Sequence, residues 1–247
     1  MERDPATTLS DIFGFVKDLN AASSSWIFRG QADSSWGLHP KIGRDEFLTN
    51  YSWFNYLGHF NEWVRTAENY MNLPENEWAK LALAQHYGLA THYLDWTTNP
   101  FIALFFALTD KREKDGMVFA FETSDIEYLP HASIKLSDQI DPMEQLENRS
   151  TRTEVWLCRL KPTNGRIVNQ NSVLTFHPYP QKDFRDCRIS SDGNKAKVLS
   201  LEIASKSKPK ILEELYQFGV NYKAVFPDIE GLTKQINSDM LDGKMGF

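Results

Sequence analysis

The segment FIALFFAL at residues 101–108 follows directly on QHYGLATHYLDWTTNP at 85–100. An apolar run without a polar face has to be covered on all sides, which predicts a central buried helix beginning near Pro100. Proline suits a helix's first turn, and Thr97, Thr98 or Asn99 supplies the cap. DWTTN is expected to be the loop delivering the chain to that helix. Two histidines, an aspartate, three threonines and a tryptophan therefore lie against the greasiest part of the chain, where buried polar groups need partners.

The 247 residues, 41% of them hydrophobic, suit one large domain or two small ones with a real core, and the absence of an internal repeat or low-complexity linker favours one domain. No apolar run approaches the roughly 18–20 residues that span a bilayer. The start, MERDPATTLSDIFGFV, is acidic and polar, unlike a secretory leader. Two cysteines, Cys158 and Cys187, make no disulfide framework, so a cytoplasmic protein is expected. A net charge of −6 argues against a broad grip on duplex nucleic acid, and KSKPK at 206–210 is too short to reverse that. A small anion in a focused pocket stays compatible with an acidic chain.

Helix signals dominate the first half. Ser10 is a candidate cap ahead of Ile12, Phe13 and Val16, and the aromatic stretch 46–71 reads as helix. LPENEWAKLALAQHYG predicts a helix with Pro74 in its first turn and Gly88 as left-handed terminator. Its stripe through Trp78, Leu81, Ala82, Gln85 and His86 points inward, with a rival phase through Ala79, Leu83 and Tyr87. WIFRGQ at 26–31 alternates as a strand, Trp26 and Phe28 on one face, Ile27 and Arg29 on the other. After Gly116 come four strand-like segments, GMVFAFET, TEVWLCRLK, GRIVNQNSVLTF and AKVLSLEIA. A helix capped by Ser207 and ended at Gly219 follows, then a short one in FPDIEGLTKQI. The expected class is α+β, helix-rich in the N-terminal half and mainly antiparallel sheet in the C-terminal half.

The residues that could carry chemistry are Arg29, Gln85, His86, His92, Asp95, Trp96, Thr97, Thr98 and Gln170. The helix starting near Pro100 offers unpaired N–H groups and a positive dipole end to a phosphate. A competing reading makes the polar run only a well-capped buried helix. Arg29, at a strand end, can fork onto phosphate or carboxylate, or form a structural ion pair with Asp95. Gln170 is expected within a strand, sharing a face with Val168 opposite Ile167, Asn169 and Asn171. No zinc spacing, phosphate-binding glycine loop or nucleophile elbow is found, and no metal is predicted.

FRGQ at 28–31, LAQHYGLATHYLDWTTNPFIALFFAL at 83–108, GMVFAF at 116–121, RIVNQNSVLTFHP at 166–178 and GVNYKAVFPDIEGL at 219–232 occur in the order found in FRG-domain proteins. The chain resembles that family over about 20–235. The family tends to read TRLLDWT, so His92 stands where it has arginine. A fainter similarity runs to ADP-ribosyltransferases. These have an aromatic-Arg-Gly ending an early strand, then a Ser/Thr-rich strand before a small-apolar helix, then a strand bearing Glu or Gln. Arg29, Thr97 and Gln170 stand in that order, with Ala103 and Phe106 in the helix. The resemblance implies that Arg29 holds NAD, Thr97 braces the nicotinamide side and Gln170 meets the ribose hydroxyls, with Gln31, Gln85, His92, Trp96 and Thr98 around them. A neutral Gln170 lacks the charge that stabilises an oxocarbenium ion, which Asp95 or Glu154 could supply.

Three functions follow as expectations. The first is a nucleotide-binding FRG domain, NAD being the candidate cofactor, that cleaves it or transfers ADP-ribose through Arg29, His86, Asp95 and Gln170. The second is a non-catalytic sensor or interaction module in a bacterial or phage defence or toxin system, with a protein partner. The third is a metal-independent hydrolase or nuclease using Asp95 and His86 as acid–base partners, about 3 Å apart.

Overall fold

The computed structural model describes residues 4–22, 25–128, 154–159 and 169–243. Helices α1 (Leu9–Ala22), α2 (Asp45–Leu48), α3 (Trp53–Ala67), α4 (Glu77–His86) and α5 (Pro100–Thr109) alternate with strands β1 (Trp26–Gln31), β2 (Tyr93–Thr97) and β3 (Gly116–Glu122). Strands β4 (Trp156–Cys158), β5 (Ser172–Phe176) and β6 (Val198–Ile203) follow, then α6 (Lys208–Gln217), α7 (Tyr222–Val225) and α8 (Ile229–Leu241). The six strands form one antiparallel sheet in the order β4-β5-β2-β1-β3-β6. The α+β class and the antiparallel sheet stand as expected, with three of the strands coming before residue 123.

Both sheet faces are covered. On one, α1, α5 and α6 bury Phe28, Val118, Ala120 and Leu201. On the other, Ile27, Leu94, Trp96, Phe119 and Phe121 pack with Leu38, Phe184 and Ile189 from the connecting segments. A third cluster sets Trp78, Phe60 and Tyr56 from α3 and α4 against Tyr93, Trp156 and Phe176. Coverage on two faces explains why β3 reads as a continuous apolar run.

Helix α5 is the buried centre that its composition demands, with Ile102, Ala103, Leu104, Phe105, Ala107 and Leu108 all buried. Asn99 is its cap, accepting from the Phe101 N–H at 2.9 Å, and Pro100 sits in the first turn. β1 runs so close to α5 that a Cβ on Gly30 would lie 1.7 Å from the Ala103 carbonyl oxygen. The glycine of FRG is thus required by backbone packing.

Several local expectations are corrected. Residues 93–97 are strand β2, not a loop, because they pair residue by residue with β5, Tyr93 with Phe176 through Thr97 with Ser172. Thr8, not Ser10, caps α1: its hydroxyl accepts from the Asp11 N–H while the Asp11 carboxylate accepts from the Thr8 N–H. α4 starts at Glu77 behind an Asn76 cap, leaving Pro74 outside, whereas Gly88 ends it at φ +92° as expected. Ser207 precedes α6 without a side-chain capping bond. β5 begins at Ser172, so Gln170 is not in a strand: it lies in a turn, and Asn171 after it has φ +46°. Ile167 and Val168 fall outside the described residues.

Candidate functional site

The sheet is unevenly laced. β1 and β3 pair along their length, Trp26 with Glu122 through Gln31 with Met117. β1 and β2, by contrast, pair only at Phe28 and Thr97. The two central strands therefore open into a wedge beyond that point, and the Arg29 side chain spans it. Its Nη1 donates to the Asp95 carbonyl oxygen at 2.7 Å, where a regular ladder would have a main-chain donor.

A cavity of about 290 Å³ fills the wedge. α5 walls it with Ile102, Ala103 and Phe106, α4 with Ala82, Gln85 and His86, and β5 with Ser172 and Leu174. Arg29, Asp95, Trp96, Thr97 and Gln170 complete the polar side of the lining, and Cys158 reaches it from β4. Of the residues singled out in the sequence, Arg29, Gln85, His86, Asp95, Trp96, Thr97 and Gln170 meet here. They come from β1, α4, β2 and the turn ahead of β5, so only the tertiary structure brings them together.

The polar groups have defined partners. Gln85 Nε2 donates to Asp95 Oδ1 at 2.7 Å, and Gln85 Oε1 accepts from the Thr91 hydroxyl. The Thr97 hydroxyl donates to the Gln170 carbonyl at 2.6 Å and accepts from the Asn99 N–H at 3.0 Å, joining β2 to the start of α5. The Gln170 side chain donates to the Val225 carbonyl at 3.4 Å. The hydrogen bond to the Asp95 carboxylate thus comes from Gln85, and the acid–base pairing expected with His86 is not what holds it. His86 is half-buried in the α4 wall, edge-on to Tyr87 at 5.1 Å.

Arg29 is the unusual member. Its Nε is buried with no hydrogen-bond partner, and among the described residues no carboxylate oxygen lies within 4 Å of the guanidinium. The alternative of an ion pair with Asp95 gives way to a bond to that residue's main chain. Burial draws the Arg29 pKa down to about 10, partly offset by the Asp95 charge and reinforced by Arg44. The group still carries its charge at neutral pH, in a site that leaves it short of acceptors.

Three expected residues lie outside the lining. His92 is fully buried, Nε2 bonded to the Tyr51 hydroxyl at 3.1 Å and Nδ1 to the His177 carbonyl at 2.7 Å. Gln31 is buried, donating to the Gly37 carbonyl at 3.2 Å. Thr98 is exposed, its N–H bonded to the Asn171 carbonyl at 3.1 Å. The start of α5 is also less open to an anion than expected, since Asn99 and Thr97 occupy its first donors and the cavity lies along its flank. Ser172 and Cys158 enter the lining without being singled out as site residues in the sequence; Ser172 does so because it pairs with Thr97. Glu154 lies outside it.

A larger groove of about 1040 Å³ runs between α3 and residues 87–90, walled mainly by rings such as Phe47, Tyr51, Phe60 and Trp63. It lacks the opposed guanidinium and carboxylate that give the wedge its chemical character. Among the described residues no three His, Cys, Asp or Glu side chains gather as metal ligands, and no helix is long and apolar enough to cross a membrane. Residues 24–116 match the FRG domain family. Comparison with the curated proteins and with solved structures gives no significant match.

Proposed function

With an FRG domain at residues 24–116 as the premise, we propose that the wedge between β1 and β2 binds a nucleotide-type ligand, NAD foremost, and cleaves its nicotinamide bond. The observation that carries this reading is the half-buried Arg29 guanidinium at the cavity wall, its Nε buried and unpartnered and, among the described residues, no carboxylate oxygen within 4 Å of it. A phosphate would supply the missing acceptor and the missing counter-charge together. Asp95, the carboxylate of the described lining, suits ribose hydroxyls, and Phe106 suits the face of a flat ring. At about 290 Å³ the cavity is near the lower end of small-molecule sites, roughly 300–1,000 Å³, so half a dinucleotide enters and the rest lies over the open side.

The chemistry follows from that placement. The N-glycosidic bond breaks with its electron pair leaving on nicotinamide, and positive charge develops at the ribose anomeric carbon. The Asp95 carboxylate stabilises that charge, the role a neutral Gln170 amide fills poorly. Water, or an acceptor hydroxyl, adds to the anomeric carbon and its proton passes to His86, giving ADP-ribose or its conjugate. The free thiols Cys158 and Cys187 suit a reducing cytoplasm as the setting.

The test is incubation with NAD, following nicotinamide release by chromatography and NAD-dependent heat stabilisation by calorimetry. Arg29→Ala should lose both. Asp95→Asn should keep binding and lose release by about 100-fold, the scale of removing one preorganised electrostatic contact. Binding without release by the unaltered protein would leave a non-catalytic sensor module. Neither release nor stabilisation would remove the NAD reading.

A further inference from the structure

We infer that Thr91, a buried residue outside the cavity, is a positioning residue that acts through Gln85 to keep the Asp95 carboxylate apart from Arg29, so that both charges stay open to a ligand. Its functional meaning rests on the ligand reading above; its structural content does not.

The direction of each hydrogen bond in the relay follows from chemistry. Thr91 is fully buried in the turn between α4 and β2, and its hydroxyl oxygen accepts from the Tyr93 N–H at 3.2 Å. Its one proton then goes to Gln85 Oε1. An amide whose oxygen faces Thr91 must present its NH2 group on the other side, and there Nε2 meets Asp95 Oδ1 at 2.7 Å. The flipped amide would set two oxygens against each other and abandon the Thr91 proton. The hydroxyl therefore selects the amide orientation, and the amide selects the carboxylate's.

The consequence is a charge pair held open. Opposite charges on facing strands ordinarily close into a direct, often bidentate, contact. Here Arg29 Nη1 is bonded to the Asp95 carbonyl, while the carboxylate of the same residue is drawn toward α4 by Gln85. Asp95 Oδ2 has no hydrogen-bond partner among the described residues, and neither does Arg29 Nε. Those two atoms are the ones a ligand with an anionic group and hydroxyl donors would use. Without the relay, the amide is free to turn and the carboxylate swings onto the guanidinium, where it competes with the ligand's anion.

The experiment compares Thr91→Val, Thr91→Ser and Gln85→Leu with the unaltered chain, using NMR of the Arg29 Nε–H and Gln85 side-chain amide and calorimetric titration with NAD. Thr91→Val matches the shape and lacks the proton; Thr91→Ser restores the proton. Thr91→Val and Gln85→Leu are expected to displace the Arg29 Nε–H resonance and to weaken NAD binding about tenfold, with Thr91→Ser staying within twofold. A folded Thr91→Val protein whose Arg29 and Gln85 resonances stay in place overturns the relay, and so does Thr91→Ser behaving like Thr91→Val. Should Thr91→Val fail to fold, Gln85→Leu decides the same point through the Arg29 resonance. If the unaltered chain binds no NAD, the proposed function falls, and the resonances alone decide the relay.

Discussion

Replacing Gly30 by alanine adds a single methyl group at the tightest approach of β1 to α5. That methyl would lie 1.7 Å from the Ala103 carbonyl oxygen and 2.8 Å from the Ala107 nitrogen, both main-chain atoms. Carbon and oxygen settle at about 3.3 Å or more, so strand and helix would have to part by roughly 1.6 Å. Overpacking typically costs about 1–3 kcal/mol where side chains can yield. Here the obstacles are backbone atoms of the most buried helix, which puts the cost at ~3 kcal/mol or above. In a chain of this size, ~3 kcal/mol lowers the melting temperature by about 6–12 °C. Scanning calorimetry measures the loss, and Gly14→Ala is the control. Gly14 lies inside α1 with no heavy atom within 4 Å of an added Cβ, so alanine there should raise stability by about 0.5–1 kcal/mol through helix propensity. A Gly30→Ala protein melting within about 2 °C of the parent would refute the packing explanation.

Two further outcomes follow from buried polar groups. His177 is fully buried, and burial, aided by the nearby His92, His39 and Arg29, lowers its pKa from 6.5 to about 3. Between those values the unfolded chain takes up a proton that the folded chain refuses, so this contribution is complete above pH 6.5 and declines as the pH falls toward 3. The slope is about 1.4 kcal/mol per pH unit, so urea unfolding should show His177→Asn losing about 2 kcal/mol less than the parent between pH 7 and 5. Lys208 is fully buried in α6, its ammonium donating to the carbonyls of Ala32 at 2.7 Å and Lys111 at 3.1 Å. Lys208→Met leaves those acceptors unpaired and should cost about 3 kcal/mol in the same assay, whereas retained stability would mean water replaces the ammonium.

Much of this architecture is local and can be read along the chain. The apolar circumference of residues 101–108 demands burial on all sides, Asn99 and Pro100 mark where that helix starts, and Gly88 marks where α4 stops. Alternation in WIFRGQ and the continuous apolar run of GMVFAF mark two neighbouring strands. The polar run ahead of that helix marks Gln85, His86, Asp95 and Thr97 as site candidates, whereas Arg29 and Gln170 join them only through the tertiary structure. What stays hidden depends on partners far along the chain. YLDWT is a strand only because the distant β5 pairs with it, and no periodicity within so short a segment announces that. His92 looks like a ligand in its motif, but Tyr51 and His177 claim both ring nitrogens. The wedge itself arises where β1 and β2 fail to pair beyond Phe28 and Thr97, a property of two strands in relation and of neither alone. Helix caps, buried faces and turns depend on contacts within a few residues, so the sequence displays them. Strand order, register and gaps depend on which distant segments meet, and that is settled only when the whole core closes.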